Sequence, residues 1–511
     1  MTPALALTWL LLLPLVASPV IYLAGRVSFR LGASAAPARW LAALTLALTA
    51  IPLWFVARAV LASGSVSIVF GAISLRMDGV GLVLAATVLA LTLLVSIFSV
   101  PYLHDEEGEE KHYALLVSMA GTMVGLGCAN DLFNLWVWFE AMAVTSFLLV
   151  AFYREQRGAL EAGVKYLVQS AVGSAFVLIG IALVFARTGT LDLQQVAAAM
   201  VTPLPLPILA AGALFLIGFG VKTALVPLHT WLPDAHSQAP SGVSAMLSGV
   251  VIEAGLVAML RSLGCLAPGS GTWGPMLLGF GALNMVVGNL MALRQTQVKR
   301  MFAYSSISHM GYMLIGFGVA VGYGITNGAA GGFFHLLNHA LMKGLAFLAA
   351  GALLYALHIA RGSHDSLTVD DLNGAAGRYP LVAFALTIAV LALGGLPPLS
   401  GFMSKWQIFV AGFETKSAVV EILVIFAAFN SVLSLAYYAP LVNRMYRHEP
   451  SAAVAAGRPV SAMMGAPLAV MTVLVILLGF WPGLVDAITH PAAVHLVSLF
   501  GSSGVLAQFH P

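Results

Sequence analysis

The sequence predicts an all-α integral membrane protein, and three observations carry that prediction. Hydrophobic residues make up 60% of the 511 positions and charged residues 8%, with a mean hydropathy of +0.96. A soluble domain carries roughly 25% charged residues, so this chain lacks the charge to cover a water-facing surface. Its apolar residues also fall into runs of about 20, the length of a spanning helix, whereas barrel strands are shorter and alternate. Finally, its basic residues segregate between alternate loops.

Taken in order, 14 segments are predicted to span: near 3–25, 38–61, 79–101, 112–129, 131–153, 160–186, 206–230, 241–264, 274–293, 300–321, 328–358, 380–412, 418–442 and 462–483. The first lacks a basic leader and a cleavage site, so it reads as a span and not a signal peptide. Residues 64–78 alternate and are β-branched, which predicts a short hairpin outside the membrane. The tail from 484 to 511 reads as an interfacial helix with a loose end.

The charges test this order. With the N-terminus outside, 14 of the 23 Lys and Arg residues fall in inside loops and 5 in outside loops, a clear positive-inside bias. Lys299 counts among the first and Arg261 among the second. An even span count puts both termini outside, and the membrane expected is the inner (plasma) membrane. The small net charge of +3 gives no reason to expect nucleic acid.

Four lysines remain, Lys165, Lys222, Lys343 and Lys405, all within predicted spans, as are Glu140 and Glu253. Each charge near the bilayer centre costs at least about 2.5–3.5 kcal/mol. Six unpaired ones would cost on the order of 15 kcal/mol, more than most domains can lose. They must face one another, water or other helices. Static ion pairs are one reading, but four lysines against two glutamates leave an excess of cations. Lysine is also the basic side chain whose proton affinity responds most to burial, which suits a relay.

Two spans are interrupted. In GFGVKTALVPLHTWLPDAH, Lys222 is followed by Pro227, His229 and Pro233. In LALGGLPPLSGFMSKWQIF, Gly394, Gly395, Pro397 and Pro398 precede Lys405. Proline breaks the helical ladder, and a membrane tolerates this only where the freed groups line protein or a wet cavity. Ordinary kinking is the bland reading. Two breaks, each with a lysine and five spans apart, point instead to inverted repeats.

In HLLNHALMKGLAF, His335, His339 and Lys343 recur every four residues and share one helix face. Histidine passes protons through either ring nitrogen. Zinc is the competing idea, but no acidic residue follows as a protease motif requires, and no metal is expected. His309, with Tyr304 and Ser305, either extends the polar path or packs. Glu140 sits among aromatic residues in LWVWFEAMAV, and Lys222 is its expected partner. Lys165 either snorkels to the inside surface or joins the relay. Cys128 and Cys265 have no metal or redox spacing, and no nucleotide fingerprint or P-loop occurs, so no cofactor is expected.

The run from Lys222 to Glu253, together with KRMFAYSSISHMGY (299–312), HLLNHALMKGLAFL (335–348) and GLPPLSGFMSKW (395–406), resembles the antiporter-like membrane subunits. These occur in respiratory complex I, in Mrp sodium/proton antiporters and in membrane-bound hydrogenases. The resemblance covers roughly residues 80–445. It implies 14 helices, with helices 7 and 12 broken, in a single membrane domain over 1–511. Within it, 1–110 would hold three helices and the hairpin, 111–265 and 270–447 two inverted five-helix repeats, and 460–511 the last helix and tail. Glu140 and Lys222 match the family's input pair, Lys343 its eleventh-helix lysine, Lys405 its outlet lysine, and His335 and His339 its bridging positions. Lys165, His229 and His309 would be accessory. Glu253 departs from the lysine or histidine usual on the eighth helix, so the central step would run through a carboxylate. Lys405 departs from the M-type complex I subunit, which carries glutamate there.

The function expected is proton translocation within a redox-driven complex of the NADH-quinone oxidoreductase or hydrogenase type. The chain would hold no redox centre of its own, and other membrane subunits would be its partners. The alternative is the D type of membrane component in a multisubunit Mrp sodium/proton antiporter, with sodium as the second ion. A scaffold that has lost transport and a solute permease are more distant readings.

Overall fold

A computed structural model describes residues 1–32, 34–71, 73–104, 106–267 and 272–501. The loose end expected at 502–511 lies outside them. Two long helices, α1 (Pro3–Arg30) and α2 (Ala36–Ser63), open the chain. The alternating stretch pairs as an antiparallel hairpin of β1 (Ser65–Phe70) and β2 (Ile73–Asp78), with Ser65 opposite Asp78 and Phe70 opposite Ile73. Asp78 then accepts from Gly81 N at 2.9 Å and caps α3 (Gly79–Tyr102). Next come α4 (Glu109–Cys128), α5 (Leu132–Val150), α6 (Arg157–Thr188), the short α7 (Leu193–Ala198) and α8 (Leu206–Lys222).

A second group begins with α9 (Trp231–Gln238) and α10 (Ser241–Met246), which continues through a π turn at Leu247–Val251 into α11 (Ile252–Gly264). Then follow α12 (Trp273–Ala292), α13 (Val298–Tyr323), α14 (Thr326–Leu357), α15 (Ala375–Arg378), α16 (Pro380–Gly394), α17 (Ser400–Glu414), α18 (Ala418–Arg447), α19 (Ala452–Ala456), α20 (Ala462–Phe480) and α21 (Asp486–Leu499). Among the described residues, ten helical stretches are long and apolar enough to cross a membrane. Two shorter apolar helices, α8 and α16, are those that end at the breaks.

Burial sorts the helices. α1, α2, α6 and α18 present most of their surface outward, with Trp9, Trp54, Ile422 and Phe429 exposed. Lipid is the surrounding that accepts such faces. The continuous stretch Ser241–Gly264 is buried all round, and α13 and α14 nearly so. α14 is the hub, in contact with α3, α10, α13, α16, α17, α20 and α21. It is also the helix that carries His335, His339 and Lys343, so those side chains have no route to lipid.

Both breaks fall where proline and glycine predict them. The chain leaves helix after Lys222 and resumes at Trp231, and leaves again after Gly394 and resumes at Ser400. The freed backbone groups are met by side chains, as a dry interior requires. At the first break, Val226 N donates to Asn284 Oδ1 at 2.9 Å, and Trp231 Nε1 donates to Val221 O at 2.7 Å. At the second, Ser431 Oγ donates to Gly394 O at 3.0 Å, and Asn338 Nδ2 donates to Ser400 O at 2.9 Å. Gly395 holds φ at +77°, a left-handed conformation that glycine adopts without strain.

Candidate functional site

Lys222, Glu253, His309, His335, His339, Lys343 and Lys405 are all buried. His335, His339 and Lys343 lie on α14, Glu253, His309 and Lys405 lie on elements that meet it, and Lys222 ends α8, which packs on α11. His339 Nδ1 lies 2.8 Å from Glu253 Oε1 on α11. His309 Nδ1 lies 3.0 Å from His335 Nε2, with the rings stacked. His335 Nδ1 lies 2.9 Å from Ser404 Oγ, the residue before Lys405. The rings of His309 and His339 are 5.3 Å apart. A row therefore runs from Glu253 through three imidazoles to Ser404 beside Lys405. The His309–His335 contact needs one nitrogen as donor and the other as acceptor, so its sense depends on tautomer. The His339–His309 step is a ring contact, with His339 Nε2 unpartnered among the described residues.

Close packing places Glu253. A Cβ on Gly249 would lie 2.7 Å from Leu91 Cδ2 and 3.2 Å from the Ala340 backbone, one residue from His339. A Cβ on Gly255 would lie 3.0 Å from Lys222 Cβ. These two glycines let the stretch approach α14 on one side and the first break on the other. The π turn, which contains Gly249, widens the helix just before the carboxylate, a local feature frequent at functional sites.

The lysines differ in their partners. Lys405 Nζ donates to Leu393 O and to Ser431 Oγ, both at 2.8 Å, and so satisfies a carbonyl at the C-terminal end of α16. A cation is favoured at that end of a helix. Lys343 Nζ donates to Phe302 O at 2.8 Å and to Ser305 Oγ at 2.6 Å, and Ser305 bonds the Tyr438 hydroxyl. Lys222 ends α8 and hydrogen-bonds nothing among the described residues. Its ammonium lies 4.5 Å from the Tyr166 ring centre and 5.8 Å from that of Phe139. The expected ion pair with Glu140 is not made. Aromatic faces are the contacts of Lys222, and Glu140, half-buried with one oxygen unpartnered among the described residues, is the carboxylate whose charge reaches it.

Lys165 is not among the buried charges. It is exposed and pairs with Glu161 at 2.7 Å and Asp234 at 3.0 Å, and Asp234 also holds Arg300 at 2.9 Å. His229 lies half-buried on the first break, facing Tyr304 with ring centres 6.4 Å apart. Three residues placed in loops by the charge count are buried instead: Arg39, within α2 and paired with Glu109, and two more. Lys299 starts α13 and donates to Ala239 O. Arg261 lies within α11 and pairs with Asp78 at 2.7 Å. Both keep their charge inside by finding an acceptor, which a count of loop charges does not detect.

His236 escaped the sequence reading. It is fully buried, stacked on Phe347 at 4.6 Å, with Lys299 and Lys343 as its charged neighbours and neither ring nitrogen partnered among the described residues. Its signal was available, a second histidine in HTWLPDAH. Ser404, Ser431 and Asn284 were invisible, because serine and asparagine acquire meaning only from what they face.

A family described as NADH:quinone oxidoreductase/Mrp antiporter, TM, matches residues 129–434. The chain belongs to this family. Among its relatives, subunit N of the F(420)H(2) dehydrogenase of Methanosarcina mazei is 34% identical, over 83% of this chain and 85% of that one. Subunit N of a NADH-quinone oxidoreductase from Salinibacter ruber is 33% identical, over 81% and 83%. A chain of the membrane-bound sulfane sulfur reductase, an archaeal respiratory membrane complex, superposes with a TM-score of 0.85 at 27% identity, covering 98% of this chain and 99% of that one. The resemblance read from the motifs is thus shown, and the chain is an antiporter-like membrane protein. The matched segment contains Glu140, Lys222, Glu253, the three histidines of the row, Lys343 and Lys405.

Proposed function

We propose that this chain carries protons across the membrane as the antiporter-like subunit of a redox-driven complex related to NADH-quinone oxidoreductase. The observation that carries the reading is the buried row Glu253–His339–His309–His335–Ser404, flanked by Lys222, Lys343 and Lys405. A packing role does not call for three contiguous imidazoles, a carboxylate and three lysines in a dry interior, since each charge must be offset. Lys222 Nζ, Glu253 Oε2 and His339 Nε2 each lack a partner among the described residues. They are the positions where water would bridge the steps that the side chains do not span.

In this reading Lys222 receives a proton under the field of Glu140. The proton passes through Glu253 and His339 to the neighbourhood of Lys343, then through His309 and His335 toward Lys405. Charges at mid-membrane couple strongly because the local dielectric is low, so loading one lysine lowers the proton affinity of the next. The chain crosses the membrane 14 times: the ten apolar stretches, α4, α13 and the two broken spans. Residues 111–265 and 270–447 form the inverted repeats, both termini lie on the outer side of the inner membrane, and other membrane subunits complete the complex. The names of the relatives, a dehydrogenase and an oxidoreductase, favour redox drive over the Mrp-type sodium/proton alternative.

Proton uptake by vesicles holding the assembled complex tests this, with and without sodium. Lys222→Ala and Glu140→Ala are each expected to abolish uptake while the complex still assembles. Normal uptake in either variant would sink the proposal, and uptake that depends on sodium but not on electron donor would favour the antiporter reading.

A further inference from the structure

Two adjoining cavities open where α16 and α20 begin. One, of about 520 Å³, is lined by Arg361, Arg378, Arg458, Ala456, Gly457 and Pro459. The other, of about 440 Å³, shares Arg378 and Pro459 and descends along Pro380, Leu381, Val382, Val460, Ala462 and Gly465. The first is cationic and the second largely apolar. Among the described residues, no carboxylate lines either cavity. On the turn before α15, Asp370 is engaged by Arg444 and Asp371 by Thr368 at 2.6 Å.

The cationic part is held in place. Arg378 donates to Ala455 O at 2.9 Å and to Gly457 O at 2.6 Å, which leaves further donors of its fork available. The Arg458 backbone is fixed at both ends: its N–H donates to Ala356 O at 2.8 Å, and its carbonyl accepts from Tyr379 Oη at 2.9 Å. Its side chain is exposed and pairs with no acid among the described residues. Arg361 makes one long bond, to Leu357 O at 3.3 Å. Three guanidinium groups without carboxylates make a site for a phosphate, whose oxygens match the planar donor fork. The apolar slot below runs between the N-terminal ends of α16 and α20, two apolar helices of a membrane protein.

We infer that the Arg361–Arg378–Arg458 cluster and the slot between α16 and α20 bind one anionic phospholipid, its phosphate on the arginines and an acyl chain in the slot. Charge complementarity selects the headgroup, and the continuity of the slot with the lipid-facing ends of two helices selects a lipid over a soluble anion. The site lies apart from the buried relay, so the inference uses only the membrane location of the chain.

The test uses the full chain purified in its complex, incubated with phosphatidylglycerol or phosphatidylcholine at matched concentrations, with bound lipid counted by native mass spectrometry. Retention of phosphatidylglycerol is expected to exceed that of phosphatidylcholine by about tenfold. The preference should vanish in the triple variant Arg361→Gln, Arg378→Gln, Arg458→Gln. It should fall in Arg458→Gln alone, whose side chain supports no other contact and so leaves folding intact. Ala462→Trp, which fills the slot, should also lower retention, and Arg30→Gln at the far end of α1 should not. Equal retention of the two lipids, or a preference unchanged in the triple variant, would overturn the site. Displacement of the lipid by inorganic phosphate alone would make it a free-anion site instead. Failure of the intact complex to take up any lipid there would mean that a neighbouring subunit covers the arginines. Each of these last two outcomes also overturns the inference.

Discussion

Glu253 is the residue on which the proposed relay turns. It contacts His339 at 2.8 Å with one oxygen, and its other oxygen has no partner among the described residues. A carboxylate bound to an imidazole offers two proton-carrying groups within one hydrogen bond, where lysine or histidine is the usual occupant implied by the resemblance. Glu253→Gln keeps the shape and a hydrogen bond but removes the titrating group. It is expected to reduce proton uptake by at least about tenfold, given that a positioned acid or base contributes roughly 10²–10⁴ in rate. Uptake equal to wild type would mean that Glu253 is only a clamp for His339. The position was legible as an intramembrane charge, and its partner was not, because His339 is 86 residues away in the chain. The reverse holds for Lys222 and Glu140. An intramembrane carboxylate among aromatic residues suggested an ion pair with Lys222, but the two make no direct contact: rings face the ammonium, and Glu140 acts on it only through its field. A sequence reports which groups are charged, and packing decides which of them touch.

At the scale of elements, the breaks after Lys222 and after Gly394 followed from proline and glycine alone, because those residues act on their own backbone. The helix that carries Glu253 behaved differently. Its π turn and its two close approaches, at Gly249 and Gly255, arise from contact with neighbours and left no local signal beyond small residues. Gly255→Val would press new methyl groups against Lys222 Cβ, already 3.0 Å from the position of a Cβ there. Overpacking of this kind costs about 1–3 kcal/mol. Thermal unfolding of the complex should occur at lower temperature, and proton uptake should fall with it. Gly279→Val on α12 meets nothing within 4 Å and serves as the control. Equal behaviour of the two variants would remove any special role for the Gly255 contact.

At the scale of the whole molecule, distant segments are tied together by a buried cluster away from the relay. Asp78, at the end of β2, accepts from Arg261 at 2.7 Å and lies 2.9 Å from His495 on α21, while Arg261 also donates to Gly127 O at 2.8 Å. Burial alone would raise the Asp78 pKa, but Arg261 and His495 outweigh it and hold the carboxyl well below the usual carboxylate range. A carboxyl with a depressed folded-state pKa adds stability above its unfolded pKa and loses it as pH falls through the folded value. The cluster should therefore be intact at neutrality and fail only in strong acid. Arg261→Met removes one partner and leaves a buried carboxylate, a loss of about 3–5 kcal/mol. In that variant the midpoint of thermal unfolding should drop at neutral pH and recover part of the difference as Asp78 becomes protonated in acid. An unchanged midpoint at neutrality would show that the hairpin and α21 are held by packing alone. Composition, span length and the two breaks were determined by the sequence, since each depends on a residue's own backbone preference or its transfer from water to lipid, and the motifs carried the family. Only the tertiary structure decided that Lys222 faces rings, that Glu253 meets His339, that Lys165 turns outward and that Arg261 and Lys299 are buried. These are choices among partners far apart in the chain, and they are made by close packing and by the need of every buried polar group for a counterpart.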